Sequence, residues 1–213
     1  MIRILANPRS GTMSTAKSLQ NLGLDVRHEA VGKDGTVSCF FFIDSSYYPE
    51  GKNKGKKIFP HRGDGVPSDY DWKISIHLVR NPIDCIPSMC SIVSKNHKKW
   101  LLEMGIIELA HAKKKILACM SAYYEQNEIF EKICGHRIKL EDNGKELMRI
   151  LRLKGSYPVL HVNKTPPAWK VECSWEILYN SDYYLAEKIR KQAIKYGYEA
   201  PKNKRVGIRD LMR

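Results

Sequence analysis

Residues 4–14 read ILANPRSGTMS. The apolar run Ile2–Leu5 is strand-like, and the Pro and Gly of Asn7–Gly11 break regular structure. From Thr12 to Leu22, the residues Met13, Ala16, Leu19, Gln20 and Leu22 trace a rough helical stripe that Gly23 can stop. A strand that passes through a tight turn into a helix points backbone N–H groups at an anion, and the helix dipole reinforces them. Gly11 permits close backbone approach. Ser10, Thr12 and Ser14 supply hydroxyls, and Arg9 supplies a fixed cationic fork. The plainer alternative is a βα turn capped by Ser10 or Thr12. The Walker A pattern GxxxxGK[ST] is absent, since no Lys follows Gly11. The strand ISIHLV ends in Arg80 rather than Asp, so a metal-dependent NTPase lacks both of its usual metal handles.

Working outward, Leu24–Val31 reads as a second strand entering a turn, and Lys33, Asp34, Gly35 and Ser38 continue as a turn-like segment. Ser45–Asp71 is dense in Gly, Pro, Lys and Asp and reads as a long surface loop. Lys73–Val79 suits a buried parallel strand. Asn81 is a good N-cap, Pro82 occupies the favoured first helical position, and Asp84 lies in the first turn. That helix is expected to end near Ser94–Asn96. Trp100–Ile133 is helical in character with a break at Gly105. Arg137–Leu140 and Val159–Val162 read as strands and Gly144–Leu153 as a helix. Trp175–Tyr196 reads as helix interrupted near Asn180. Strands alternating with helices predict an α/β fold: one domain, 1–213, with a mainly parallel central sheet flanked by helices.

The chain has 213 residues, 43% apolar and 28% charged, an ordinary globular balance with material for a core. Thirty-six basic against 23 acidic residues leave a formal charge of +13, which favours anionic partners: a nucleotide, a nucleic acid, an acidic glycan or a membrane surface. No apolar run is long enough to predict a transmembrane helix, and no signal peptide is recognisable. The six cysteines form no CxxC pair, so they are expected to be reduced core thiols in a cytoplasmic protein, with no metal bound. Lys52–Lys57, Lys113–Lys115 and Lys202–Arg205 are basic clusters, each readable as a solvated face or as attraction for a polyanion. Nucleic acid is disfavoured, because no binding motif or interleaved aromatic platform accompanies them. Tyr47, Tyr48, Tyr70 and Trp72 flank the long loop and could stack on an acceptor or simply pack.

A second constellation lies at Arg80 and Ser88, eight residues apart. In an open α/β sheet, ligands sit outside the carboxyl ends of strands, so Arg80 could take a second phosphate beside the Ser88 hydroxyl. Pairing of Arg80 with a surface carboxylate is the alternative. Together, PRSGT after a first strand and LVRNPIDCIPS resemble the sulfotransferases that use 3′-phosphoadenosine 5′-phosphosulfate. The segment SAYYEQNEIFEKICGHRIKLED and, more faintly, SWEILYNSDYYLAEKIRKQAIKYGYE add to the resemblance. It leaves Asp44–Asp71 and the Trp100 region uncovered.

The resemblance implies a fold like that of the P-loop nucleotide kinases. It also implies in-line sulfuryl transfer to an acceptor hydroxyl, leaving adenosine 3′,5′-bisphosphate, with no metal required. Pro8, Arg9, Ser10, Gly11, Thr12, Met13 and Ser14 would bind the 5′-phosphosulfate, and Arg80 and Ser88 the 3′-phosphate. Arg9 stands where cytosolic members carry Lys. The PRSGT version is similar to tyrosylprotein and several bacterial and carbohydrate sulfotransferases, so small-phenol specificity does not transfer. The acceptor could be anionic or a glycan. Arg9 is the expected cation at the reacting group, and Glu29 the expected base, with His28 beside it. Strand alternation predicts that only one of His28 and Glu29 faces the site. His161, Asn163 and Lys164 could reach the nucleotide. The competing readings are a P-loop kinase and a non-catalytic nucleotide- or nucleic-acid-binding protein.

Overall fold

The computed structural model describes residues 1–40, 67–103, 105–158 and 172–201. In chain order it comprises β1 (Ile2–Leu5), α1 (Thr12–Asn21), β2 (Val26–His28), β3 (Gly35–Ser38), β4 (Ile74–Val79), α2 (Pro82–Ile92) and α3 (Lys95–Glu103). There follow α4 (Leu109–Ala112), α5 (Lys115–Ile133), β5 (His136–Lys139), α6 (Asn143–Ile150), α7 (Trp175–Ser181) and α8 (Tyr183–Lys195). The strands form a five-stranded, all-parallel sheet in the order β2-β3-β1-β4-β5. The chain therefore adopts the expected α/β architecture.

Alternation along β1 shows why both faces of the sheet are covered. Successive strand side chains point to opposite faces. Ile4 belongs to a core with Ala16 and Leu19 of α1 and Leu147 of α6. Leu5 belongs to a core with Ile86 and Met89 of α2 and Tyr123 of α5. Both residues are fully buried, each gaining about 1.5–3 kcal/mol from the transfer out of water. β4 repeats the pattern: Ile76 and Leu78 join the α1 side, while His77 meets Phe130 of α5.

Helix ends follow local chemistry. The Asn81 side chain accepts from the Ile83 amide at 3.1 Å, and Pro82 opens α2 without needing a donor. The Asp182 carboxylate accepts from the Leu185 amide at 2.9 Å and starts α8. Because a capping residue is extended, the interruption expected near Asn180 falls at Asp182. In the region from Trp100 onward, the break expected at Gly105 falls between α3 and α4, a second break at Lys113–Lys114 separates α4 from α5, and α3 starts earlier, at Lys95.

The largest departure from expectation lies between β2 and β3. The predicted strand Leu24–Val31 is only Val26–His28, and the turn-like segment around Gly35–Ser38 is a strand. Parallel neighbours usually need a crossover of a dozen residues or more; here residues 29–34 suffice. Asp25 and Asp34 clasp the return. The Asp25 amide donates to the Asp34 carboxylate at 2.8 Å, and the Lys33 amide donates to the Asp25 carboxylate at 2.9 Å. Gly35 then enters the sheet at φ 152°, where a Cβ would lie 2.0 Å from the Ile2 carbonyl oxygen. Only glycine fits there. The predicted strand Val159–Val162 and most of the loop Ser45–Asp71 lie outside the described residues.

The topology places a site. From β1 the chain moves to β2 and β3 on one side, whereas β4 and β5 lie on the other. β1 and β4 are therefore adjacent strands whose connections diverge, which is the switch point where open α/β sheets bind ligands. The turn after β1 carries Pro8–Thr12, and the turn after β4 carries Arg80.

Candidate functional site

The turn after β1 is built from two left-handed residues, Arg9 at φ 70° and Gly11 at φ 79°. The Ser10 amide donates to the Asn7 carbonyl at 3.1 Å, and the Thr15 amide donates to the Gly11 carbonyl at 2.9 Å. A Cβ on Gly11 would lie 2.5 Å from Leu140 Cδ1, so the turn packs closely on the end of β5. The first turn of α1 carries no acidic residue, leaving the positive end of the helix dipole uncancelled. Met13 and Ser14 lie half-buried in that turn. Behind it, the Ser10 hydroxyl meets Cys85 Sγ at 3.3 Å, and Cys85 Sγ lies 3.7 Å from the Pro8 carbonyl it donates to. Burial pushes the Cys85 thiol up to about 11, so it supports the turn as a neutral group.

Arg80 and Ser88 arrive from the neighbouring strand and its helix. Arg80 Nη1 donates to the Arg9 carbonyl at 2.5 Å. Arg9 Nε donates to Ser88 Oγ at 3.1 Å. Arg9 thus meets Arg80 through its backbone carbonyl and Ser88 through its guanidinium at the β1/β4 switch point, although they lie 71 and 79 residues further along the chain. The Tyr123 hydroxyl of α5 donates to the Arg80 carbonyl at 2.7 Å and fixes the backbone there. Two arginines brought to one edge of the sheet in partly buried surroundings favour an anion beside them.

His28 and Glu29 lie at the edge of the same turn. His28 Nε2 is 2.9 Å from Thr12 Oγ1 and 3.7 Å from Glu29 Oε1. Of the two, His28 is the one bonded to the turn, but the side chains do not point to opposite faces as strand alternation predicts. Glu29 leaves the strand at φ 51°, which breaks the alternation and brings its carboxylate round to the His28 ring. That carboxylate accepts from the Ser38 hydroxyl at 2.5 Å, from the Cys39 amide at 2.8 Å and from the Cys39 thiol at 3.0 Å. Glu29 is thereby anchored to the end of β3, and its side chain is 14% exposed against 29% for His28. Of the two, His28 has the wetter ring and the direct bond to the turn.

The other sequence candidates divide clearly. Tyr70 and Trp72 pack on each other at 5.2 Å, and Trp72 Nε1 donates to the Pro67 carbonyl at 2.7 Å, so they are structural. Lys113–Lys115 are exposed where α4 meets α5. Tyr47, Tyr48, His161, Asn163, Lys164 and the basic clusters 52–57 and 202–205 lie outside the described residues. Among the described residues, no group of three or more His, Cys, Asp and Glu could hold a metal ion. No helix among them is long and apolar enough to cross a membrane.

Sequence reasoning missed the support beneath the turn: Asn7, His77, Cys85, Tyr123 and Asn127. Tyr123 and Asn127 are four apart on α5 and so share one face, a signal that could have paired them. Comparison with protein-family models, with curated proteins and with solved structures finds no match.

Proposed function

We propose that this protein is a sulfotransferase that moves a sulfuryl group from 3′-phosphoadenosine 5′-phosphosulfate to an acceptor hydroxyl. The observation that carries the reading is the meeting of Arg9, Arg80 and Ser88 through the 2.5 Å and 3.1 Å contacts at the sheet's switch point. A nucleotide bearing phosphate at both its 3′ and 5′ positions suits two cationic forks supplied by different strands. A single terminal phosphate would need only one.

In this reading the 5′-phosphosulfate lies on the turn Pro8–Ser14, and Arg80 and Ser88 take the 3′-phosphate. The acceptor oxygen attacks sulfur, the bond from sulfur to the bridging oxygen breaks, and adenosine 3′,5′-bisphosphate departs. Arg9 and the positive end of α1 stabilise the charge that grows on the bridging oxygen. The acceptor proton passes to His28, whose ring is already on the turn through Thr12. Glu29, anchored by β3, orients that ring and stabilises it once protonated.

Calorimetric titration with adenosine 3′,5′-bisphosphate in the presence of a chelator tests the cofactor. Micromolar binding is expected, lost in Arg80→Ala. No binding, or binding only with magnesium, would favour a kinase-like protein. A labelled-sulfate transfer screen over glycans, tyrosyl peptides and small alcohols tests the chemistry. Transfer to none of them, with nucleotide binding intact, would point to a non-catalytic nucleotide-binding protein. With an acceptor in hand, His28→Gln should lower kcat by about 10²–10⁴-fold. Glu29→Gln should lower it less, because it removes only an orienting group. The reverse order would transfer the role of base to Glu29.

A further inference from the structure

Behind the turn lies a chain of buried amides whose hydrogen positions can be worked out from one end. It starts at Glu128 on α5. Its carboxylate accepts from Gln192 Nε2 of α8 at 2.8 Å, and the same Nε2 donates to the Tyr124 carbonyl at 3.3 Å. Both partners only accept, so the Gln192 amide is locked with its oxygen facing the other way. That oxygen accepts from Asn127 Nδ2 at 3.1 Å. Asn127 must then present Oδ1 to the remaining partners, and both of them donate: Asn7 Nδ2 at 2.7 Å and His77 Nε2 at 3.0 Å. Asn7 Nδ2 also reaches the Tyr123 carbonyl at 3.3 Å. Asn7, His77, Asn127 and Gln192 are each at most 3% exposed.

The direction of donation is therefore the same along the whole chain, from the turn towards α8. It ends at Asn7, the residue whose carbonyl receives the Ser10 amide at 3.1 Å and so shapes the turn. Asn7 Oδ1 and His77 Nδ1 have no hydrogen-bond partner among the described residues. Asn7 is thus tied from behind, by its amide nitrogen. In a buried setting such a tie is costly to break, because each lost partner leaves a polar atom unsatisfied.

We infer that Asn127 is a positioning residue for the anion-binding turn: it holds Asn7 in the orientation that fixes the Ser10 amide, and Gln192 determines which of its atoms faces the turn. The part concerning ligand affinity rests on the proposed reading of the turn as a nucleotide-phosphate site; the part concerning the turn's backbone does not.

Two readouts on the full chain test it: hydrogen exchange at the Ser10 amide, and calorimetric affinity for adenosine 3′,5′-bisphosphate. Asn127→Leu keeps the volume and removes every polar leg. It should speed Ser10 exchange and weaken affinity, each by about ten-fold. His77→Phe removes the other donor to the same oxygen while keeping the ring packing. It should leave both readouts within about two-fold of the wild type, whatever it does to the melting temperature. A folded Asn127→Leu protein with wild-type exchange at Ser10 overturns the inference. So does a His77→Phe protein that matches its losses, since that would mark a general packing effect. Should Asn127→Leu not fold, Gln192→Met takes its place: faster Ser10 exchange supports the inference, and wild-type exchange overturns it. If wild-type protein binds no bisphosphate, the sulfotransferase reading fails, and the exchange measurement still decides the role of Asn127.

Discussion

Arg9 keeps a left-handed backbone that residues with side chains avoid, at a cost of about 1–2 kcal/mol. The bond from Arg80 to its carbonyl helps offset that cost, so Arg80 also holds the shape of the turn. Gly11 shows the same dependence from the opposite side. Gly11→Ala adds a Cβ in a left-handed conformation and drives it against Leu140. We expect it to fold with a loss of about 1–2 kcal/mol in chemical denaturation. On the proposed reading, bisphosphate affinity should fall as the turn and Leu140 shift apart. Much of this was legible in the amino-acid sequence. Arg80 was readable at a strand end and Ser88 about two turns into the following helix, but their meeting with Arg9 was an expectation from the resemblance, because it depends on the sheet order. The roles of His28 and Glu29 were not legible, because their relation depends on a positive φ at Glu29 that no side chain announces. Nor were Asn7 and Asn127, since two amides 120 residues apart carry no pattern until the sheet and α5 are packed.

Among the elements, α2 matters most to the site, because it starts two residues beyond Arg80 and carries Ser88. Its N-cap should be separable from its ligand contacts. Asn81→Ala removes the acceptor for the Ile83 amide and should cost about 1 kcal/mol, read as a lower denaturation midpoint with an unchanged slope. The start of α2 was read to the residue, because Asn81 and Pro82 act locally. β3 was missed for the opposite reason. A six-residue return between parallel strands is atypical, and Lys33-Asp34-Gly35 has the composition of a turn. What made the short return feasible was the Asp25–Asp34 clasp and a glycine pressed against β1, both long-range facts. The break between α3 and α4 was legible from Gly105, whereas the one between α4 and α5 was not, because Lys113 and Lys114 are ordinary helix residues.

At the scale of the whole molecule, one buried group sets an acid limit. Burial pushes His77 down to about 4, since its ring is enclosed between β4, α5 and α8. The unfolded chain would bind a proton there near pH 6.5. Its contribution is thus fully present above about pH 6.5 and is lost as pH falls towards about 4, where the folded form also protonates. The loss is on the order of 3 kcal/mol. Urea unfolding between pH 7.5 and 4.5 should show that fall, and His77→Phe should remove most of it. Burial of β4 was legible, because the apolar run ISIHLV suits a strand covered on both faces. The sheet order was not, since it depends on which edge each crossover takes. That order has a temporal consequence. β1 is the innermost strand and also the earliest in the chain, and its partner across one edge lies 72 residues further on, as Ile2 pairs with Ile74. On a ribosome, β1 would emerge with β3 close behind but with one flank bare until β4 is synthesised. Half of the proposed binding edge would then exist only after the second arginine has been translated, so a nascent chain stalled before that point could neither close its sheet nor complete the site we propose for a nucleotide.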